Sequence, residues 1–185
     1  MRCALEVAPV RAGPADDAEQ VTQLLRGEPV RVEERREGWA LVETAYAYRG
    51  WVQAGALEGG DGAPPRSTGR SLLDEARVYL GSPYLWGGMT RRGIDCSGLV
   101  HMAHRGLGRL VPRDAWQQER AGERVDEPEP GDVIVYGDPG ERADHVAFWV
   151  GDGCILHATG RDSLGVVEEP EPPELAARRR SIVRL

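Results

Sequence analysis

Apolar and polar residues alternate in several short runs near the start of the chain. One run spans residues 28–34, with Val30 and Val32 on the same face, and another spans residues 39–44. Glycines separate the runs, and short strands at such close spacing are typical of a small β-barrel. The pattern therefore predicts an all-β domain over residues 1–57.

The hydrophobic pattern changes after a segment that has the composition of a linker. Residues 58–69 are rich in glycine and proline and have no apolar period. Beyond them the period becomes helical. It predicts a helix over residues 70–80 with Ser71 as its N-cap, a second helix that begins at Cys96, and a third over residues 112–121.

From Gly131 onward the apolar period becomes that of strands. The alternation predicts strands over residues 132–136, 145–150, 154–159, 166–168 and 181–185, with a short helix over residues 174–180. Helices followed by an antiparallel sheet are typical of an α+β domain, which we predict over residues 70–185.

Cys96 is the first candidate for chemistry, because it stands where a glycine-rich loop ends and a helix begins. Asp95 is suited to the N-cap, so Cys96 lies in the first turn with its thiol toward the apolar side of the helix. The unpaired N–H groups at this end favour the nucleophilic thiolate. A lone cysteine in a helix more often only packs in the core, so the hypothesis requires a base elsewhere.

Two of the four histidines are candidates for that base. A hairpin that pairs Val150 with Cys154 through a loop at residues 151–153 places His145 and His157 on one face of the sheet as diagonal neighbours. His145 can then accept the thiol proton, while His157 orients the ring of His145.

Other interpretations of the histidines stay open. His145 and His157 can instead be half-buried strand residues with backbone partners. A mononuclear zinc site is disfavoured, because a third ligand at a recognisable spacing is missing. His101 and His104 lie on the helix that Cys96 begins, and we expect them at its surface or flank.

Composition and charge narrow the class of protein. All 23 basic residues are arginine and the net charge is −7, which argues against a nucleic-acid-binding surface. The hydropathy of the chain bears on where the protein is located. No run approaches about 18 apolar residues, so we expect no membrane-spanning segment. Glu6 and Pro9 interrupt the region where a signal peptide needs an apolar run. We expect a cytoplasmic protein, or a secreted or wall-associated one if a leader was removed. Three cysteines without metal-ligand spacing fit a reducing compartment.

Several short motifs occur in the order typical of one family. They are Gly81-x-Pro-Tyr-x-Trp-Gly-Gly88, Asp95-Cys-Ser-Gly-Leu-Val100, Pro112-Arg-Asp114, Pro130-Gly-Asp132, His145-Val-Ala147, Gly151-Asp-Gly153 and Ile155-Leu-His-Ala158. Together they resemble an NlpC-type, papain-like cysteine peptidase of bacterial cell-wall peptides, over about residues 70–168.

A second set of motifs lies in the predicted barrel. It comprises Val10-Arg-Ala-Gly-Pro14, Gln23-Leu-Leu-Arg-Gly-Glu28, Glu37-Gly-Trp39 and Arg49-Gly-Trp-Val52. This order resembles the bacterial SH3-like (SH3b) barrel. The two domains together are similar to the γ-D-glutamyl-L-diamino-acid endopeptidases that recycle murein peptides.

The resemblance implies a role for each matching residue. Cys96 matches the nucleophile, His145 the general base and His157 the third polar residue of the site. Tyr84 matches a tyrosine on the oxyanion side. The positions that match substrate contacts are Asp95, Ser97, Asp114 and, in the barrel, Tyr48. Ala115 stands where recycling enzymes often carry serine, which leaves one hydrogen bond to the substrate open.

We therefore expect a monomeric cysteine peptidase that needs no metal or organic cofactor. The resemblance implies a free murein peptide, L-Ala-γ-D-Glu-diamino acid, as substrate, with either diaminopimelate or lysine at the third position. No nucleic-acid or membrane partner is expected. Two alternatives are a secreted endopeptidase that acts on the polymeric wall and a non-catalytic protein that binds or senses wall peptides.

Overall fold

The computed structural model describes residues 1–185, which form two compact units, Met1–Pro65 and Arg66–Leu185. The boundary between the units falls inside the segment 58–69, which has the composition of a linker. None of the helices is long and apolar enough to cross a membrane.

The first unit is all-β. Its strands are β1 (Arg2–Cys3), β2 (Val7–Arg11), β3 (Gln20–Leu25), β4 (Val30–Arg36), β5 (Trp39–Thr44), β6 (Arg49–Gln53) and β7 (Leu57–Glu58). Five of them form one antiparallel sheet in the order β3-β2-β6-β5-β4, and β1 pairs with β7. The apolar residues of the alternating runs face inward and form the core, as Ala40 and Val42 do on β5.

The second unit contains four helices, α1 (Leu72–Arg77), α2 (Cys96–Gly106), α3 (Ala115–Ala121) and α4 (Pro173–Ala176). Ser71 caps α1 as predicted, by accepting a hydrogen bond from the Asp74 N–H at 3.3 Å. The third helix begins later than its apolar period predicts. Asp114 is its N-cap, and its N–H donates to the Gln117 side chain at 3.1 Å in a capping box.

An antiparallel sheet of six strands forms the rest of the second unit, in the order β10-β15-β11-β12-β13-β14. These strands are β10 (Glu123–Arg124), β11 (Val133–Tyr136), β12 (His145–Gly151), β13 (Cys154–Thr159), β14 (Gly165–Pro170) and β15 (Arg179–Arg184). A two-stranded ribbon, β8 (Met89–Thr90) and β9 (Gly93–Ile94), precedes α2. The predicted fold class, an α+β domain of helices on an antiparallel sheet preceded by a small all-β barrel, is confirmed.

Apolar residues cover both faces of the six-stranded sheet. One face packs against α2, with Leu99, Val100 and Ala103 in the same cluster as Val146 and Phe148. The opposite face carries a smaller cluster, built from Ile134, Tyr136, Ala147, Ile155 and their neighbours Trp149, Leu175 and Ile182. The first face therefore fixes the helix that begins with Cys96 directly on β12.

The prediction that His101 and His104 lie at the helix surface or flank is wrong, since they are 0 % and 1 % exposed. The Nδ1–H of His101 donates to the Val111 carbonyl oxygen at 2.7 Å, because the chain folds back over that side of α2. The Nδ1–H of His104 donates to the Val100 carbonyl oxygen at 2.9 Å. Each histidine satisfies a ring nitrogen with a backbone carbonyl, His104 within its own helix and His101 on the segment that follows it, so burial is possible where the apolar period predicts a flank.

Candidate active site

The loop before α2 packs tightly on the start of that helix. A Cβ atom on Gly98 would lie 2.4 Å from the Gly88 carbonyl oxygen, so only glycine permits this approach. Asp95 is the N-cap, with Oδ1 accepting from the Gly98 N–H at 2.6 Å and Oδ2 from the Gly87 N–H at 2.7 Å. Cys96 is consequently the first residue of α2, and its predicted position in the first turn is confirmed.

Arg113 is buried beneath this junction and holds its parts together. Its Nη1 donates to Asp95 Oδ1 at 2.9 Å and its Nη2 to Oδ2 at 2.8 Å. The same guanidinium donates to Ser97 Oγ at 2.9 Å and to the Gly88 carbonyl oxygen at 3.2 Å. Such planar, bidentate contacts fix geometry as well as charge. Arg113 belongs to the Pro112-Arg-Asp114 motif, but the sequence alone assigns it no role. Its place between Pro112 and the N-cap of α3 is the one sequence signal that could have drawn attention to it.

Asp95 and Ser97 are predicted substrate contacts, and both are now seen to have internal partners. They are 5 % and 7 % exposed. The Asp95 carboxylate accepts from two backbone N–H groups and from Arg113, so its negative charge is compensated inside the fold. Contact of either residue with a peptide stays a prediction.

Cys96 is 5 % exposed and its sulfur lies beside β12. Burial, followed by the negative charge of Asp95, raises the pKa of the Cys96 thiol to about 12. Backbone hydrogen bonds from Val146 and Ser97 lower this pKa but do not outweigh burial. The helix start therefore acts on the thiol in the predicted direction, but burial outweighs it and keeps the resting thiol protonated. The thiol needs a base to remove its proton, and Val146 is the residue next to His145.

The side chains of His145 and His157 are in hydrogen-bond contact across two neighbouring strands. Nε2 of His145 lies 2.8 Å from Nδ1 of His157, and the rings meet edge to face with centroids 5.1 Å apart. Trp149 on β12 lies opposite Ile155 on β13. This is the predicted register, and it makes the two histidines diagonal neighbours on one face.

The turn between these strands differs from the predicted three-residue loop. Gly151 pairs with Cys154 across a two-residue turn, and the register shift beside Val150 marks a β-bulge. Asp152 and Gly153 both have positive φ, as a tight turn between twisted strands requires. The bulge takes up the extra residue, so the pairing farther along the hairpin is unchanged.

A carboxylate and an arginine continue the contact on the far side of His157. Nε2 of His157 lies 3.0 Å from Glu169 Oε1, and Arg161 Nη2 donates to the two Glu169 oxygens at 2.5 and 2.7 Å. Sequence reasoning missed both residues. The strand that carries Glu169 was predicted to end at residue 168, whereas β14 continues to Pro170. A strand two residues longer places Glu169 on the same face as His157.

Both histidines of the pair are neutral near pH 7. Burial, with the charges of His157 and Arg178, lowers the pKa of His145 to about 3. Burial also lowers the pKa of His157, although the hydrogen bond to Glu169 acts in the opposite direction. A neutral imidazole is able to accept the proton of a neutral thiol that comes within its reach.

The remaining predicted site residues lie at different places. Tyr84 is half-buried in the glycine-rich loop, where burial, followed by the charges of Cys96 and Asp95, raises the pKa of its phenol and keeps it a hydrogen-bond donor. Asp114 caps α3. Tyr48 belongs to the first unit, in the turn between β5 and β6. The roles of these residues toward a substrate stay predictions.

Histidine, cysteine and carboxylate side chains are also the residue types that bind metal ions. No group of three or more histidine, cysteine, aspartate or glutamate residues is arranged to hold a metal ion. The contacts of His145 and His157 are hydrogen bonds to each other and to Glu169.

Both units of the chain resemble known proteins in sequence. The sequence model of the NlpC/P60 family matches residues 81–174, and the model of the bacterial SH3 domain matches residues 6–58. The γ-D-glutamyl-L-lysine dipeptidyl-peptidase of Bacillus subtilis strain 168 is 32 % identical over 154 residues, which cover 79 % of this chain and 51 % of that protein. The chain spans about half the length of the curated relatives it matches.

Solved structures give the same relationship. An NlpC/P60 family protein from Bacillus cereus aligns with 99 % of this chain and 62 % of its own, at a TM-score of 0.60 and 22 % identity, a likeness of fold. The peptidoglycan hydrolase RipB from Mycobacterium tuberculosis aligns with 61 % of this chain and 62 % of its own, at a TM-score of 0.54 and 32 % identity. Because the family match covers more than half of the sequence, with a bacterial SH3 domain ahead of it, the chain belongs to the NlpC/P60 family.

Proposed function

We propose that this protein is a cysteine peptidase that cleaves the bond between the γ-carboxyl of D-glutamate and the following diamino acid in murein peptides. The observation that carries the proposal is the position of Cys96, at a helix start and beside the strand residue that follows His145. The hydrogen bond from His145 to His157 supports it. Membership of the NlpC/P60 family and the name of the B. subtilis relative support the substrate class.

The proposed first step is acylation of Cys96. His145 takes the thiol proton while the sulfur attacks the γ-carbonyl carbon and forms an S–C bond. The resulting oxyanion accepts hydrogen bonds from the Cys96 N–H and the Tyr84 hydroxyl. The C–N bond then breaks, and His145 gives its proton to the departing amine of the diamino acid.

The second step hydrolyses the thioester. His145 removes a proton from water, and the hydroxide adds to the acyl carbon. The C–S bond then breaks, and the proton on His145 returns to the sulfur, which restores the resting thiol and the neutral imidazole. Protons and bonds balance over the cycle, and one water is consumed.

The finer part of the proposal concerns the natural substrate. We propose a free peptide with an N-terminal L-Ala, processed by a monomeric cytoplasmic enzyme during the recycling of murein peptides. The resemblance to recycling endopeptidases supports this choice. The diamino acid is diaminopimelate or lysine, and a secreted enzyme that acts on the polymeric wall is the competing proposal.

The test is mass spectrometry of free tripeptides after incubation with the protein. L-Ala-γ-D-Glu-diaminopimelate and its lysine counterpart are offered separately, and release of L-Ala-D-Glu together with the free diamino acid is expected from at least one. Cys96→Ala is the control and should abolish turnover while leaving the fold intact. Turnover retained in Cys96→Ala would contradict the mechanism.

A second comparison tests the free-peptide substrate. Acetylation of the L-Ala amine should lower kcat/KM at least about 30-fold, which corresponds to about 2 kcal/mol for a lost charged contact. Purified sacculi should also be poor substrates, because their L-Ala amine is amide-linked. Equal rates on the free tripeptide, its acetylated form and sacculi would favour the wall hydrolase.

A further inference from the structure

The contacts of the histidine pair continue to a carboxylate that has no part in the chemistry described above. Glu169 lies on β14, with Oε1 at 3.0 Å from His157 Nε2 and both oxygens bound by Arg161. We propose that Glu169, held in place by Arg161, is a positioning residue that fixes the tautomers of both histidines and so leaves Nδ1 of His145 free to accept a proton. The kinetic part of this inference rests on the proposed function.

The tautomers follow from which atoms can donate. An ionised carboxylate only accepts, so Nε2 of His157 must carry the proton that it shares with Glu169. Nδ1 of neutral His157 is then an acceptor, and the contact at 2.8 Å requires Nε2 of His145 to donate. Neutral His145 has one ring proton, so its Nδ1 keeps a lone pair. That lone pair is what a base for the Cys96 thiol needs.

Arg161 keeps the carboxylate of Glu169 in the accepting form. Burial raises the pKa of Glu169, but the hydrogen bonds from His157 and Arg161 outweigh burial and lower it. Arg161 also contacts Glu174 at 3.4 Å, through Nη1 rather than the Nη2 that binds Glu169. The other groups that act on the pair are Arg178, through its charge, and Tyr136, whose ring lies 5.6 Å from that of His145.

Without Glu169, the ring protons of His157 and His145 would no longer be confined to Nε2. Without an acceptor at Nε2, His157 is able to carry its proton on Nδ1 and to donate it to Nε2 of His145. His145 would then carry its own proton on Nδ1 and could not take one from Cys96. A wrong tautomer disables an intact histidine even when every heavy atom keeps its place.

The direct test is the tautomeric state of the four histidines by two-dimensional ¹⁵N–¹H NMR of ¹⁵N-labelled protein near pH 7.5. In the wild type, His145 and His157 should be Nε2–H tautomers. His101 and His104 donate Nδ1–H to carbonyl oxygens and should be Nδ1–H tautomers, so they serve as internal references. In Glu169→Ala, His145 and His157 should acquire the Nδ1–H form while the references stay unchanged.

This readout requires no substrate, so it tests the inference even if the proposed reaction is wrong. Glu168→Ala is the matched control, because Glu168 is the neighbouring residue of the same strand and pairs instead with Arg77 at 2.8 Å. Unchanged tautomers of His145 and His157 in Glu169→Ala would overturn the inference. The same tautomer change in Glu168→Ala would overturn it as well.

Kinetics with the tripeptide give the second readout. Glu169→Ala should lower kcat by about 10- to 100-fold with little change in KM, the size typical of a residue that orients a functional histidine. Glu169→Gln should retain more activity than Glu169→Ala, since its amide oxygen still accepts from His157. Glu168→Ala should keep wild-type kcat. An equal loss in Glu168→Ala and Glu169→Ala, or a Glu169→Ala variant with unchanged kcat, would contradict a positioning role.

Discussion

Cys96, His145 and His157 are all uncharged at rest, and burial is the main reason for each. Cys96 is therefore not held as a thiolate by the helix start. In the proposed mechanism its activation requires transfer of a proton to His145 during attack, so the reactivity of the sulfur is expected to depend on that one side chain.

The two histidines should differ in how much activity their removal costs. His145→Ala deletes the proton carrier and should lower kcat/KM by about 10²- to 10⁴-fold. His157→Ala should cost less, because His157 acts on the substrate only through His145. Steady-state kinetics with the tripeptide measure both variants. A larger loss at His157 than at His145 would mean that their roles are reversed.

Alkylation tests the dependence of Cys96 on His145 without a substrate. The rate of Cys96 modification by iodoacetamide near neutral pH should fall in His145→Ala, since no base then assists loss of the thiol proton. Cys154 is partly exposed and serves as the internal control, with an unchanged rate. Peptide mass spectrometry distinguishes the two sites. An unaltered rate at Cys96 would show that His145 does not assist the thiol.

At the scale of elements, the start of α2 is fixed by an ion pair as well as by backbone capping. Asp95 is at once the N-cap of the helix and the buried partner of Arg113. Arg113 precedes the N-cap of α3, so the one guanidinium ties the starts of two helices to the glycine-rich loop. The position of Cys96 therefore depends on this pair.

Asp95→Asn should destabilise the second unit by about 3–5 kcal/mol, because it leaves the Arg113 charge buried without its partner. Asparagine is as good an N-cap as aspartate, so the loss reports the ion pair, together with the second acceptor oxygen that binds the Gly87 N–H, rather than the cap. Asp114→Asn, at the N-cap of α3, is the matched control and should change stability by less than about 1 kcal/mol. Denaturant unfolding measures both. Equal small losses would show that the Arg113 pair adds little.

The sequence pattern predicts the helices and strands because caps, apolar periods and hairpin turns are set by residues close together in the chain. The N-cap at Asp95, the apolar period of α2 and the register of the β12–β13 hairpin all follow from residues near one another in sequence. The contacts of Arg113 and Glu169 join segments that are distant in the chain or in different elements, and a periodicity carries no information about them. The burial of His101 was missed for the same reason, since the covering carbonyl comes from a segment after the helix.

At the scale of the whole molecule, all four histidines lie in the second unit, His145 partly buried and the other three buried, and all are neutral near pH 7. A histidine whose pKa is lowered by folding stabilises the native state fully above its unfolded pKa of about 6.5. That contribution is lost as the pH falls toward the folded value. The second unit is therefore expected to be the acid-sensitive half.

His101 gives the clearest test, because burial, followed by the charge of Arg113, lowers its pKa to about 3. Below about pH 6.5, the neutral state of folded His101 should lower the free energy of unfolding of the second unit by up to about 1.4 kcal/mol for each unit that the pH falls. His101→Gln removes this titration while its amide still donates to the Val111 carbonyl. Denaturant unfolding at pH 7.5, 6, 5 and 4 should therefore show a flatter decline for the variant. Parallel declines would contradict a neutral buried His101.

The place of β15 in the sheet has a consequence for synthesis of the chain. The strands β11 to β14 follow one another in sequence and in space, yet β15 comes after them and pairs with the free side of β11. A chain growing on the ribosome thus presents the β11 edge unpaired until Arg179–Arg184 has emerged. Until then that edge is open to pairing with another nascent chain. Several ribosomes close together on one message should favour such mispairing. The β11 edge is covered only when β15 has been made and pairs with it.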